Sequence, residues 1–250
     1  MSLEGGASSG RLLDVAFLPG EGRPADVSVV IDVLRATSTI ADALSNGWTR
    51  VLCAGTVDAA RALRGPGRAL AGERECRPIP GFDHGNSPGA LGPGGGRELV
   101  LSTTNGTPAI LAAADNSEKV LLGALLNLEA VARAVPPDAD VTLVCAGTDG
   151  RFALEDAYFA GRLVAALAGK RTDAARAAER LAGSYPGPLD PLAESADAAV
   201  LRETGQEADI RCCARESVLD VVPQVEGVEG GLAVVVAARR GGPVLDEAVG

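Results

Sequence analysis

Short Val-rich runs that end on polar residues and lead directly into helical patterning set the frame for the whole chain. Residues 26–31 (DVSVVI) and 140–146 (DVTLVCA) are the plainest. Apolar runs of this length without alternation are the pattern of strands buried on both faces. Helical patterns follow at 36–45, stopped by Asn46 and Gly47, and at 153–168. Further strands are read at 50–54, 98–102, 119–122 and 231–238. Helices are read at 108–114, with Thr107 as N-cap and Pro108 in the first turn, from Asn127 to about Val135, and over most of 172–222, broken at 185–191. Strands alternating with helices predict a layered α/β/α fold with a largely parallel or mixed sheet.

Residues 11–250 are read as a single domain, and the Gly/Ser-rich opening, residues 1–10, as a flexible tail outside it. With 46% hydrophobic and 22% charged residues the chain can bury a core, and with 3% aromatics that core must be small-grained, built on Ala, Val and Leu. A net charge of −10 and a pI near 4.7 argue against nucleic acid as partner, which needs a clustered basic surface. Neither a secretory leader nor a membrane-length apolar run is present, so no membrane association and a cytoplasmic location are expected. Oligomeric state is left open, a homo-oligomer included.

Five cysteines without C-x-x-C spacing fit reduced thiols, and a single histidine, His84, excludes a His-rich metal cluster. Carboxylates must therefore carry any metal or acid/base work. Three strand-to-helix junctions concentrate polar residues: Asp32 to Thr37, Ser102 to Thr107, and Ala146 to Gly150 leading to Glu155 and Asp156. In parallel α/β sheets such junctions share the carboxyl edge, so they are expected to converge on one crevice.

The turn Thr103-Thr104-Asn105-Gly106-Thr107 offers hydroxyls, a close-approach glycine and helix N-terminal N–H groups to an anion, though it also reads as an ordinary cap. Asp32 suits Mg²⁺ or nucleophilic attack and Arg35 a phosphoryl or acid group, the alternative being an ion pair at a helix start. Glu155 and Asp156 lie in a first helical turn, where the dipole alone favours acids. The Gly- and Pro-dense stretch 64–96, read as one long functional loop, adds Glu73, Arg74, Asp83, Asn86 and Ser87, with Asx turns as the plainer reading of Asp83 and Asn86. Cys145 and Arg151 match the C-x₅-R spacing of cysteine phosphatases, a rival mechanism.

Taken together, DVLRAT (32–37), GER (72–74), GFDHGNSP (81–88), TTNGT (103–107) and CAGTDGRFALED (145–156), followed by ADIRCCA (208–214) and VVP (221–223), resemble the motif series of the 2-phosphosulfolactate phosphatase family. The resemblance implies an α/β fold particular to that family, a Mg²⁺ requirement, and hydrolysis of 2-phosphosulfolactate to sulfolactate on the route to coenzyme M. It supports Asp32, Arg35, Glu73, Arg74, Asp83, Asn86, Thr104, Asn105, Gly106, Glu155 and Asp156 as site positions. The expected mechanism places Mg²⁺ on carboxylates drawn from Asp32, Glu73, Asp83, Glu155 and Asp156, with Arg35, Arg74, Asn86, Ser87 and the 103–107 turn around the small phosphorylated substrate. Water attacks, or Asp32 does so first. The D-x-D pair by which haloacid-dehalogenase phosphatases gain a general acid is absent, because Leu34 holds its second position. A phosphatase for another phosphorylated hydroxy acid and a non-catalytic anion-binding protein are the alternatives.

Overall fold

The computed structural model describes residues 10–238, so most of the expected N-terminal tail and the last twelve residues of the expected domain lie outside the described residues. In chain order the elements are β1 (Leu12–Ala16), β2 (Val27–Ile31), α1 (Ala36–Ser45), β3 (Arg50–Ala54), α2 (Val57–Ala62), β4 (Arg68–Arg74), β5 (Arg77–Pro78), β6 (Glu98–Ser102), α3 (Gly106–Ala114), β7 (Lys119–Gly123), α4 (Leu128–Ala134), β8 (Val141–Cys145), α5 (Leu154–Ala166), β9 (Lys170–Arg171), α6 (Asp173–Gly183), α7 (Leu189–Glu194), α8 (Ala196–Glu203), α9 (Glu207–Cys213), β10 (Pro223–Glu229) and β11 (Leu232–Ala237).

One mixed sheet runs in the order β5-β4-β6-β3-β11-β10-β7-β2-β8-β1-β9. Two parallel sets, β4-β6-β3 and β7-β2-β8-β1-β9, are bridged by the antiparallel hairpin β10–β11. Strand β2 shows why the Val-rich runs lack alternation. Val27, Val29 and Ile31 pack with Tyr158 and Phe159 on one face, and Val30 packs with Ile40 and Ile110 on the other. Helices thus cover both sides, as a layered α/β fold requires.

The sheet coils strongly. Five inter-strand steps separate β6 from β2, about 24 Å in a flat sheet at ~4.8 Å per step. Yet a Cβ added at Gly106, just past β6, would lie 2.5 Å from Asp32 Oδ2, just past β2. Helix α3 packs against β2, β7 and β11 and so spans both halves. Coiling gathers carboxyl-end loops that the strand order would keep apart.

Within 64–96 the structure departs from the sequence reading: β4 and β5 form a hairpin there, and only the remainder is irregular. Strand β4 is masked by Ala69, Ala71 and Gly72, small residues with weak strand preference. Gly72 has φ of 152° and its Cβ would collide with the Ser102 carbonyl oxygen, so β4 can approach β6 only with glycine there. The rest of the segment is strapped onto α1 and the turn that follows it: Thr39 Oγ1 donates to Asn86 O (3.0 Å), Gly89 N to Asp42 Oδ2 (2.8 Å) and Trp48 Nε1 to Gly92 O (3.1 Å). β1, α2 and β10 are likewise beyond the sequence reading. Helix α3 begins at Gly106, before the expected Thr107 cap, because Thr103 Oγ1 takes the Thr107 N–H (2.9 Å). Among the described residues no helix is long and apolar enough to cross a membrane.

Candidate functional site

A cavity of about 330 Å³ opens at the carboxyl ends of β2, β4, β6 and β8, with α8 as its far wall. Asp32, Arg35, Glu73, Asn86, Thr104 and Asn105 line it, together with Thr148 and Asp149. The three polar junctions read from sequence do converge. Its volume suits a small metabolite.

Asp32 is pinned where β2 enters α1: Oδ1 accepts from Ala36 N (2.9 Å) and its carbonyl oxygen from Thr37 N (3.0 Å). Burial pushes its pKa up to about 7, against the Ala36 N–H and Arg35 and aided by Asp197 and Glu73. Glu73 closes β4 and ties two loops together, accepting from Thr104 N at Oε1 (2.8 Å) and from Cys76 N at Oε2 (2.9 Å). Asn86 is buried on the cavity wall, and its side-chain Oδ1 has no hydrogen-bond partner. Such an orphan is costly unless a ligand satisfies it.

Backbone strain concentrates here. Glu75 (φ 51°) and Cys76 (φ 60°) form the two-residue β4–β5 turn, and Asp149 has φ of 51°. All three line the cavity. Left-handed conformations in residues other than glycine persist where surroundings over-determine them, and Cys76 O accepts from both Gln206 Nε2 (2.6 Å) and Arg35 Nη2 (3.3 Å). The Cys76 thiol is itself pushed up to about 11, mainly by burial, so it stays protonated.

Several expected site residues serve the frame instead. Asp156 spends one oxygen on Val33 N (2.9 Å) and the other on Gly147 N (3.1 Å), lacing α5 to the two loops beside it; burial, then Asp32, raises its pKa well above the carboxylate range. Glu155, also buried, is absent from the cavity lining and neighbours Asp197; its pKa too is raised by burial. Asp83 lies off the cavity. It accepts from Leu70 N (2.8 Å), which lowers its pKa, and pairs with Arg64, so the structure gives it no part in a metal shell. Arg74 is committed to Ser102 O (3.1 Å), Ser102 Oγ (2.9 Å) and Glu73 O (2.6 Å) and does not face the substrate space. Thr103 and Thr107 are buried on each other (3.0 Å), and Gly106 is pressed against Asp32 and Ala36.

Arg35 lines the cavity but is a clamp as well. Nη1 pairs with Asp209 (2.6 Å) and also bonds Gln206 and Ser87 Oγ, and Ser87 Oγ donates to Asp209 (2.7 Å). Ser87 therefore acts through this network rather than from the cavity wall. The cysteine mechanism fails on geometry. Cys145 is buried in the core with its thiol pushed well above its ordinary value, chiefly by burial, and Arg151 points to solvent. Sequence reasoning missed Glu75, Cys76, Asp197, Gln206 and Asp209, and assigned no role to Thr148 and Asp149, although ADIRCCA and CAGTDGRFALED contain three of these seven.

The resulting charge pattern is lopsided. Asp32, Glu73, Glu75, Asp149 and Asp197 face one arginine that already has a carboxylate partner. The N-termini of α1 and α3 add positive backbone potential at the same place. Among the described residues no three metal-binding side chains are gathered into a ready-made cage. Mg²⁺ does not require one, since it keeps waters and binds through one or two carboxylates and substrate phosphate. The Asp32 carboxylate and the unpaired Asn86 Oδ1 are hard oxygens of residues that line the same cavity, a donor type that fits such a cation.

A sequence model of the family described as 2-phosphosulpholactate phosphatase matches residues 15–227. A protein of Thermotoga petrophila named "Probable 2-phosphosulfolactate phosphatase" is 41% identical over 224 residues, covering 87% of this chain and 97% of its own. Proteins of the same name from Deinococcus radiodurans (40% over 222 residues, 84% and 92% covered) and Thermus thermophilus (39% over 227 residues, 87% and 96% covered) are similar. With the match running from the middle of β1 to within β10, and so enclosing every residue that lines the cavity, the chain belongs to the 2-phosphosulfolactate phosphatase family.

Proposed function

We propose that this protein is a Mg²⁺-dependent phosphatase that hydrolyses 2-phosphosulfolactate to sulfolactate and phosphate, in the cytoplasm. The observation that carries the reading is the acidic cavity itself: five acidic side chains and one arginine that is already paired leave a phosphorylated, carboxylated and sulfonated substrate short of counter-charge unless a divalent cation joins them. Asp32 and Asn86 would hold that cation, with Glu73 lining the same cavity. When bound, it supplies charge neutralisation at the phosphoryl oxygens.

The chain's own groups do the rest. The positive backbone potential at the starts of α1 and α3 favours anionic oxygens in the cavity, and Arg35 presents what remains of its donor capacity from a fixed position. Leu34 and Val200 are the apolar side chains of the lining, and they limit water around the ester. The attacking oxygen comes from water or, in a two-step route, from the Asp32 carboxylate. Phosphate release from 2-phosphosulfolactate, 2-phospholactate and glycerol phosphate, each with Mg²⁺, tests the substrate. Turnover of the sulfonated ester well above the other two is expected, and equal turnover of all three would move the assignment to a general phosphatase.

A further inference from the structure

A phosphate ester of a secondary alcohol leaves as an alkoxide, so efficient hydrolysis needs a proton delivered to the departing oxygen. The residue two places after Asp32 is Leu34 and cannot deliver it. His84 is engaged edge-on with Trp48 and is not part of the lining, and Cys76 is strained into its turn by its backbone bonds. Asp197 stands differently. It projects from the first turn of α8 into the cavity, 8% exposed, and Thr148 Oγ1 donates to its Oδ2 (2.9 Å). Beside it lies the buried Glu155 carboxyl, and the two acidic groups interact directly.

Resting on the phosphatase reading above, we propose that Asp197 is the general acid of the reaction, with Glu155 behind it as the group that renews its proton. The P–O bond to the incoming oxygen forms as the P–O bond to the substrate carbon's oxygen breaks. The departing electron pair stays on that oxygen, which takes the Asp197 proton and leaves as an alcohol. The proton lost by the attacking water returns to the Asp197–Glu155 pair, so the cycle closes on one ester and one water giving one alcohol and one phosphate. Asp197, in the first turn of α8, and Asp32, at the end of β2, line the same cavity from different elements. Burial raises the pKa values of both Asp197 and Glu155, which favours their protonated forms.

The test compares leaving groups. Wild type, Asp197→Asn, Asp197→Glu and Thr148→Val are assayed with Mg²⁺ on 2-phospholactate, whose alkoxide needs a proton, and on acetyl phosphate, whose acetate leaves without one. Asp197→Asn is expected to lose about 100-fold or more on phospholactate and far less on acetyl phosphate. Thr148→Val should show a smaller loss with the same leaving-group bias, and Asp197→Glu a partial recovery. Equal losses on both substrates, or no loss, would overturn the role of Asp197 while wild-type turnover left the phosphatase reading intact. A wild type inactive on every ester, 2-phosphosulfolactate included, would overturn both. Thermal melts identify a variant that fails to fold, in which case the leaving-group bias of Thr148→Val decides.

Discussion

Asp32 illustrates at the scale of one residue how function opposes stability. Its folded-state pKa of about 7 lies above the 3.8 of an unperturbed aspartate, so the fold favours the protonated form. The sign follows: in metal-free protein, stability is highest below the unfolded value and falls as pH rises from about 4 to 7, by at most on the order of 4 kcal/mol from this group. Asp32→Asn should therefore abolish turnover yet melt higher than wild type in EDTA at neutral pH, and flatten that decline. A lower melting temperature for the variant would show that the buried carboxylate is not a burden. Gly106 makes the same point sterically. Gly106→Ala places a methyl 2.5 Å from Asp32 Oδ2, so it should cost about 1–3 kcal/mol in urea unfolding and on the order of 100-fold in kcat by displacing that carboxylate. Asp32, Thr104 and Asn105 were legible in the sequence because they fall at polar strand-to-helix junctions, and Glu73 and Asn86 because they fall in the long Gly- and Pro-dense stretch 64–96. Asp197 was not, since an acid two residues after the Ser195 cap is what any helix start displays; only the placement of α8 beside the cavity brings it to the site.

At the scale of elements, the strands with Val-rich runs were legible, and β4 was not, because its alanines and Gly72 reflect close approach to β6 rather than strand preference. Helix α9 shows how the C-terminal helices serve the site: Asp209 and Gln206 hold Arg35 and, through Cys76 O, the strained β4–β5 turn. The Arg35–Asp209 pair is nearly sealed, with side chains 1% and 10% exposed. Asp209→Ala should destabilise by about 3–5 kcal/mol in urea, because a buried guanidinium loses its partner, whereas a loss below about 1 kcal/mol would place the pair among exposed ion pairs. Strand β8 supplies the complementary control. Cys145→Ser should retain turnover, and alkylation of the native protein should leave Cys145 unlabelled, since its thiol lies in the core; inactivation of the serine variant would revive the cysteine mechanism.

At the scale of the molecule, coiling of one mixed sheet brings the ends of β4 and β6 to those of β2 and β8, and the hairpin β10–β11 holds the two parallel sets in that relation. The outcome is an acidic cavity in an acidic protein, with a net charge of −10, that nonetheless suits an anionic ester. On the proposed reading, that combination calls for a divalent cation. Phosphate release from 2-phosphosulfolactate by the wild-type protein, measured with Mg²⁺ and again after removal of divalent cations by EDTA, tests it most directly. Fast release with Mg²⁺, lost in EDTA and restored by excess Mg²⁺, is the expected result; release at the same rate in EDTA would contradict the role given to the acidic cavity.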